Sequence, residues 1–288
     1  MNMQIQMKDL LERYKEKIQF IGAKNPKVKQ VKNIIANRGS NPENLFVAEG
    51  IWAHMKITQL SIPVRFFIFC PSLIYSTESL AILASMLSTT DNVYAVSEKV
   101  FSTVSDRDRM DGFISICAFK IYKPCDLKLS KSSIIIVLDG LENPGNIGTI
   151  ARTCDGANID AIFLCNKHSR LTHPKLIKSS MGAIFVIPFV EFDDAANCKE
   201  WLTAHGFTIY IADTRAEKHY HEFTYNTRSA LIVGSERYGI DSQFYTPDSQ
   251  LLSIPMLGVC DSLNVGVAAS IIVYDMCIKL GKPIPKDL

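Results

Sequence analysis

The sequence lacks the features that mark several large classes of protein. Its 288 residues contain no apolar run of about 18 residues, the length that a membrane-spanning helix requires. Residues 1–20 hold no hydrophobic segment of the kind found in signal peptides, and no internal repeat or low-complexity tract is present. With 47% hydrophobic and 21% charged residues, the composition predicts a globular protein of one or two domains in the cytoplasm.

Cysteine pairs and a strong net charge are also missing. The eight cysteines are scattered, with neither a CxxC pair nor the spacing of a metal site. We therefore expect free thiols in a reducing compartment and no bound metal. The formal net charge is +2, so any surface that binds nucleic acid must be local. The sequence has no GxGxxG turn after a first strand, which argues against a nucleotide-dependent dehydrogenase.

Strand-like and helix-like segments alternate through the first part of the chain. The pattern predicts helices over residues 3–20, 79–87 and 100–104, and strands over 64–69, 92–96 and 113–119. Residues 122–133, which are rich in lysine and serine, form the best candidate linker. We therefore predict a small α/β domain over 1–122 and a second domain over 123–288.

The second domain shows the same alternation with more strongly apolar strands. Strands are expected at 134–138, 161–165, 185–190, 208–212, 230–233 and 251–254, and helices at 149–157, 174–181, 195–205 and 265–280. Strands that are apolar throughout and separated by helices are typical of a parallel sheet covered on both faces. The predicted fold class is α/β with a mostly parallel sheet.

Three turns rich in glycine or asparagine follow strands of this domain. They read NPGNIGTIART at 143–153, GSERYG at 234–239, and IPM at 254–256 followed by SLNVGVAAS at 262–270. Glycine allows another group to approach the backbone closely. Because the carboxyl ends of parallel strands meet at one edge of a sheet, the three turns predict a shared ligand pocket.

In wording, order and spacing, these segments resemble the SpoU (TrmH-like) RNA ribose methyltransferases of the SPOUT superfamily. The resemblance implies a C-terminal trefoil knot around the cofactor site and a homodimer formed at the knot. It also implies that S-adenosylmethionine is the methyl donor and that a ribose 2′-hydroxyl of RNA is the acceptor. The segment FVAEG at 46–50 resembles, over a shorter match, the substrate-recognition domain that precedes many SpoU domains.

The resemblance also implies the residues of the site. Carried over from the family motifs, the catalytic set is Asn146, Arg152, Glu236, Ser262 and Asn264. The cofactor-binding set is Leu231, Val233, Gly234, Glu236, Ile254, Met256, Ser262, Leu263 and Asn264. Many family members have serine where this chain has Gly266, so no hydroxyl role is assigned there.

The resemblance gives Arg152 the role of general base, but a guanidinium is effectively always protonated. A clamp on a substrate phosphate is physically easier. Glu236 is expected to orient Arg152 or an amide of the third motif. Asn146 is either part of this network or a residue chosen for turn geometry. Ser262 either contacts the cofactor or caps the last helix.

The RNA acceptor is expected to be ribosomal RNA of the 23S type. A transfer RNA methyltransferase and a non-catalytic RNA-binding protein on the same scaffold are the alternatives. Candidate RNA-binding residues are Lys24, Lys27, Lys29, Lys32, Arg38, Arg107 and Arg109. A solvated helix face explains the basic residues of the stretch 24–38 equally well.

Overall fold

The computed structural model describes residues 3–105 and 109–282. The chain divides into two compact units, Met1–Phe119 with Thr172–Pro174 and Lys120–Leu171 with Lys175–Leu288. No helix in the described ranges is both long and apolar enough to cross a membrane. All eight cysteines are free, as predicted.

The N-terminal unit is a five-stranded mixed sheet with helices. Its elements are α1 Met3–Arg13, β1 Ile18–Phe20, α2 Pro26–Ile35, β2 Leu45–Glu49, α3 Ile51–Gln59, β3 Val64–Phe69, α4 Thr77–Thr89, β4 Val93–Ala95, α5 Glu98–Phe101 and β5 Phe113–Ala118. The strand order is β1-β4-β3-β5-β2, and β5 runs antiparallel to both of its neighbours. The remaining pairs are parallel. The predicted strand over 64–69 is confirmed.

The helix predicted over 3–20 is wrong in its second half. The helix ends at Arg13, and Ile18–Phe20 forms the edge strand β1, which pairs with β4. A β-branched and an aromatic residue suit a strand, but the pairing partner lies about 75 positions further along, so local periodicity does not reveal it.

Helix α2, whose bounds the sequence pattern did not give, begins with clear local signals. The side chain of Asn25 accepts a hydrogen bond from Lys27 N at 2.9 Å, and Pro26 occupies the first turn. Val28 and Val31, three residues apart on one face, are completely buried. Lys29 and Lys32 are exposed and lie on the outer face of α2.

The C-terminal unit is built on a six-stranded sheet in which every pair is parallel. Its elements are β6 Ser133–Asp139, α6 Pro144–Gly156, β7 Ala161–Cys165, α7 Pro174–Ser180, β8 Phe189–Glu191, α8 Ala195–Ala204, β9 Thr208–Ala212, β10 Arg228–Gly234, β11 Gln250–Leu252 and α9 Val265–Lys279. The strand order is β11-β9-β10-β6-β7-β8. All seven residues of β6 are buried, as expected for a strand covered on both faces.

Two predicted boundaries in this unit are wrong. The first glycine-rich motif is itself helical, because α6 begins at Pro144 rather than near 149. Asn143 caps this helix by accepting a hydrogen bond from Gly145 N at 2.9 Å. The strand predicted over 185–190 begins only at Phe189, where β8 begins. Ala183–Phe185 instead forms a 3₁₀ turn after Gly182, whose φ is +87°.

Close packing around α6 sets where its first turn lies. A methyl group at Gly148 would overlap Ser179 Oγ and lie 2.7 Å from the carbonyl oxygen of Leu176, so α6 approaches α7 closely only because residue 148 is glycine. On another side, the hydroxyl oxygens of Thr153 and Ser270 are 2.7 Å apart and join α6 to α9. These contacts hold α6 against both α7 and α9.

Candidate active site

The three motifs meet at the carboxyl edge of the parallel sheet. Asn146 lies in the first turn of α6, Glu236 in the turn after β10, and Asn264 immediately before α9. Asn146 Nδ2 donates a hydrogen bond to Glu236 Oε1, and Asn264 Nδ2 donates to Asn146 Oδ1 at 3.2 Å. A continuous chain of side-chain hydrogen bonds thus joins all three motifs.

Asn264 has a second role as the N-cap of α9. Its Oδ1 accepts a hydrogen bond from Gly266 N at 2.9 Å, which orients its amide nitrogen towards Asn146. Ser262 is therefore not the cap that one interpretation of the sequence gave it. The hydroxyl of Ser262 instead donates to Asp261 Oδ1 at 3.4 Å.

The second motif forms a tight turn closed on itself. Ser235 N donates to the carbonyl of Gly239 at 3.1 Å, and Gly239 N donates back to Ser235 O at 2.9 Å. A methyl group at Gly234 would overlap the backbone of Gly239, so the turn itself requires glycine at 234. Ser235 Oγ also accepts hydrogen bonds from the two amides that follow Glu236. The carboxylate of Glu236 is in this way presented on a rigid loop.

Arg152 lies on the exposed face of α6, six residues after Asn146. Its guanidinium makes no ion pair or hydrogen bond within residues 3–105 and 109–282. Glu236 hydrogen-bonds to Asn146 and not to Arg152, so the expected Glu236–Arg152 contact is not found in the described part of the chain. The positive charge of Arg152 is available to an external anion.

A cavity of about 350 Å³ lies beside this hydrogen-bonded chain. It is lined by Ala212, Asp213, Thr214, Arg215, Val233, Gly234, Ser235, Glu236, Gly239, Ile240, Tyr245, Leu252, Ser253, Ile254, Met256, Ser262, Leu263, Val265, Ala268 and Ile272. Of the predicted cofactor residues, Leu231 is fully buried within β10 and does not line the cavity, and neither does Asn264. The other seven do.

The sequence interpretation missed several polar residues of the cavity, and three of them, Asp213, Arg215 and Tyr245, form one cluster. Asp213 is nearly buried and accepts hydrogen bonds from Arg215 Nε at 3.1 Å, Arg215 Nη2 at 3.0 Å and the Tyr245 hydroxyl at 3.0 Å. The bonded guanidinium of Arg215 lowers the pKa of Asp213 to about 2. The sequence could have indicated Asp213, because this residue directly follows β9, which ends at the same edge of the sheet.

A buried carboxyl group braces the same edge from inside the sheet. Asp139, the last residue of β6, accepts from Asn166 Nδ2 at 2.8 Å and from Asp241 N at 2.6 Å. Burial raises the pKa of Asp139 above its usual value. Asp139 does not line the cavity, and its contacts hold the loop after the second motif in place.

The predicted RNA-binding residues belong to the N-terminal unit. Lys24, Lys29, Lys32, Arg38 and Arg109 are exposed. Lys27 is half-buried, with its Nζ 4.8 Å from the centroid of the Phe66 ring, so part of this side chain serves packing. Arg107 lies outside the described residues.

Comparison with known proteins agrees with this arrangement. The SpoU rRNA Methylase family matches residues 133–274, and the MRM3-like substrate binding domain matches residues 25–115. A 23S rRNA (guanosine(2553)-2′-O)-methyltransferase of Bacillus subtilis is 30% identical over 258 residues, which is 90% of this chain and 98% of that protein. A putative TrmH family tRNA/rRNA methyltransferase of Staphylococcus saprophyticus is 32% identical over 146 residues, covering 51% of this chain and 59% of the relative.

Two crystal structures share the architecture. An AdoMet-bound rRNA methyltransferase from Sinorhizobium meliloti superposes with a TM-score of 0.80 at 22% identity, covering 90% of this chain and 97% of the other. The SpoU methyltransferase AviRb from Streptomyces viridochromogenes, in complex with AdoMet, gives 0.78 at 19% identity, covering 90% and 99%. The α/β fold with mostly parallel sheets is shared with these two methyltransferase structures. The chain belongs to the SpoU rRNA methylase family, whose members use S-adenosylmethionine as cofactor.

Proposed function

We propose that this RNA methyltransferase transfers its methyl group to a ribose 2′-hydroxyl of ribosomal RNA of the 23S type. The Bacillus relative, which matches along nearly the whole of both chains, supports this acceptor. The observation that carries the proposal is the hydrogen-bonded chain from Asn264 through Asn146 to Glu236, because Glu236 also lines the cavity. A donor pocket and an ordered polar edge are therefore adjacent.

The residues of the cavity fit S-adenosylmethionine, which supplies a methyl group already activated on a sulfonium sulfur. Sites for small molecules typically measure roughly 300–1,000 Å³, and the volume of about 350 Å³ lies within that range. Ile254, Leu263 and Val265 provide apolar walls for a flat adenine ring, and Gly234 brings its backbone close to the cavity. These residues would hold the cofactor.

We assign Arg152 the role of a phosphate clamp. Its guanidinium stays protonated, so it does not act as a general base. Because the side chain is exposed and has no partner in the described residues, its charge is available to a phosphate next to the acceptor ribose. From that position it stabilises the negative charge that develops on the attacking oxygen.

The amide chain has a positioning role in this proposal. Glu236 accepts the hydrogen bond of Asn146 Nδ2, and Asn146 in turn accepts from Asn264. Each side chain is thereby held in one orientation before substrates arrive. Correct placement of reacting groups lowers a barrier by about 7–11 kcal/mol in favourable cases.

We also propose a homodimer and a trefoil knot in the C-terminal unit, both implied by the family resemblance. Support for the dimer comes from the exposed apolar side chains before and along α9, namely Leu257, Val259, Val267, Tyr274 and Ile278. A symmetric dimer would cover them. Light scattering should give twice the mass of the chain; a monomer at micromolar concentration contradicts the dimer.

We propose the segment 1–122 as the domain that recognises RNA, supported by the match to a substrate binding domain and by the exposed basic residues near α2. The segment 123–288 is proposed as the methyltransferase domain, and the cytoplasm as its location. A transfer RNA acceptor is the second candidate, supported by the tRNA/rRNA relatives.

Transfer of tritium from labelled S-adenosylmethionine separates these acceptors. Purified protein is incubated with a 23S rRNA transcript, with ribosomal subunits and with bulk transfer RNA, and the labelled nucleotide is mapped by its resistance to alkaline cleavage. Ribose label in 23S RNA alone supports the proposal. Label confined to transfer RNA moves the assignment to the second candidate, and label in neither, despite cofactor binding, favours a non-catalytic RNA-binding protein.

A further inference from the structure

Two charged residues of the cavity, Asp213 and Arg215, belong to none of the three motifs. Arg215 lies in the loop that follows β9 and lines the cavity together with Asp213. We propose that Arg215, held by Asp213, binds the α-carboxylate of the methionine part of the cofactor. This inference rests on the assignment of the cavity to S-adenosylmethionine.

The guanidinium of Arg215 is fixed although its side chain is 83% exposed. Nε donates to Asp213 Oδ1 and Nη2 donates to Asp213 Oδ2, at 3.1 and 3.0 Å, while the backbone amide of Arg215 donates to the same carboxylate at 2.9 Å. The side chain of Asp213 is only 7% exposed and therefore has little freedom of its own. A two-point pairing to a nearly buried anchor holds an arginine in one orientation.

The pairing leaves part of the guanidinium for a ligand. The group carries five N–H donors, and the contacts with Asp213 use one on Nε and one on Nη2. Nη1 and the outer hydrogen of Nη2 form a second fork, whose spacing matches the two oxygens of a carboxylate. Asp213 stays ionised throughout the neutral pH range because its pKa is about 2, so this orientation persists there.

The charges that line the cavity agree with the assignment. Within the described chain, Arg215 is the one cation among the lining residues, and the carboxylates are Asp213, which pairs with Arg215, and Glu236, which lies in the turn after β10. S-adenosylmethionine carries a single anionic group, its carboxylate, and two cationic centres, the amine and the sulfonium. The anion is attracted to Arg215, and the cationic centres are compatible with Glu236.

The test is calorimetric and compares two ligands that differ by one group. Wild-type protein and the variant Arg215→Gln are titrated with S-adenosylmethionine and with its decarboxylated analogue. We expect Arg215→Gln to lower the affinity for S-adenosylmethionine by about tenfold or more, which is the usual loss for a charge-assisted pair. The affinity for the analogue should be unchanged. Arg237→Gln is the matched control, because Arg237 is exposed nearby but does not line the cavity; it should alter neither affinity.

A second variant distinguishes the orienting role of Asp213 from the binding role of Arg215. Asp213→Asn keeps Arg215 but removes the charge that orients it. We therefore expect the affinity for S-adenosylmethionine to fall by less than in Arg215→Gln, and the affinity for the analogue to stay unchanged. Circular dichroism checks that each variant is folded. Equal losses for both ligands, or no loss for either, overturn the inference. A loss confined to RNA affinity also overturns it and makes Arg215 a phosphate contact. If wild-type protein binds no S-adenosylmethionine, the proposed function itself fails, which is a distinguishable outcome.

Discussion

In both units, strands that run in the same direction end at one edge of a sheet, but the two edges are closed differently. In the N-terminal unit the reversed strand β5 lies between β3 and β2. Its start closes their ends, since Cys70 N donates to Gly112 O and Gly50 N donates to Phe113 O, each at 2.9 Å. Backbone hydrogen bonds to the antiparallel strand and the residue before it thus close the edge at which β2 and β3 end.

The C-terminal sheet has no reversed strand between its central members. β6 and β10 are parallel neighbours, with Asp139 and Gly234 in register at their ends. The strands β9, β10 and β11 are likewise parallel and end at the same edge, and the loops that follow these three strands line the cavity. Strand direction, more than composition, therefore determines whether a sheet edge is closed by backbone hydrogen bonds or is followed by loops that line a cavity.

The polar side chains of the two units differ in the same way. His54 on α3 is fully buried, and both ring nitrogens are used, Nδ1 with Gly50 O at 2.8 Å and Nε2 with Ser115 Oγ at 2.9 Å. Its hydrogen bonds are internal and stabilise the fold. Asn146 and Asn264 are partly accessible and keep their amides at the rim of a cavity. The first arrangement serves stability and the second serves binding.

The largest expected effect is a loss of methyl transfer in a variant that remains folded. Arg152→Ala should lower methyl transfer by about 1,000-fold, as loss of a charge-stabilising donor does, while cofactor affinity stays nearly unchanged because Arg152 does not line the cavity. Single-turnover tritium transfer and calorimetry measure the two quantities. Arg65→Ala, an exposed arginine of the other unit 3.4 Å from Glu43, is the control and should be active. Near-normal turnover by Arg152→Ala would refute its assigned role.

The opposite effect is expected at His54. His54→Ala should lower the free energy of unfolding of the N-terminal unit by about 3 kcal/mol, because it leaves a cavity and removes the hydrogen-bond partner of the buried Ser115 hydroxyl. Methyl transfer, measured at a temperature where the variant is folded, should be unchanged. Urea titration followed by circular dichroism gives the stability. Met55→Ala, at the exposed neighbouring position, is the control. A loss below about 1 kcal/mol would mean that this buried network stabilises little.

A smaller effect is expected when the chain of amides is interrupted. Asn146→Asp removes the donor that contacts Glu236 and places two carboxylates together. We expect turnover to fall by about thirtyfold, in proportion to one lost charge-assisted bond. The double variant Asn146→Asp with Glu236→Gln restores a donor and an acceptor in reversed order. Partial recovery of turnover in the double variant is expected, and additive losses would show that this hydrogen bond is not what positions the site.

The smallest effect concerns pH and Asp213. The pKa of Asp213 in the folded protein is about 2 because of Arg215, below roughly 3.9 in an unfolded chain. A lowered pKa contributes stability that is present above the unfolded value and is lost as the pH falls towards the folded value. The stability difference between wild type and Asp213→Asn should therefore shrink between about pH 4 and pH 2. Urea titrations across this range measure it, with exposed Asp248→Asn as control; a constant difference contradicts the pairing.

Local sequence determined most of the elements and their order. The strands over 64–69, 161–165 and 208–212 are confirmed with the bounds that their apolar runs predicted. The final helix, predicted from 265 to 280, ends one residue earlier. These elements are readable because burial on both faces and helical periodicity each leave a pattern within about ten neighbouring residues.

The order of the three motifs was equally visible, and with it the edge of the sheet at which they meet. Strand-ending positions alone place residues 143, 234 and 254 after strands that end at one edge of a parallel sheet. The helical start of α6 was missed because its glycines suggest a turn, whereas the cap at Asn143 and Pro144 favour a helix.

Only the tertiary structure decided which side chains meet. The bond from Asn146 to Glu236 joins residues 90 positions apart, and the bond from Asn264 to Asn146 joins residues 118 apart. The pairing of β1 with β4 is of the same kind. The sequence by itself determined the alternating elements and the motif order, since both arise from local pattern. Contacts between distant residues depend on how the strands are ordered in the sheet, and no short stretch of sequence records that order.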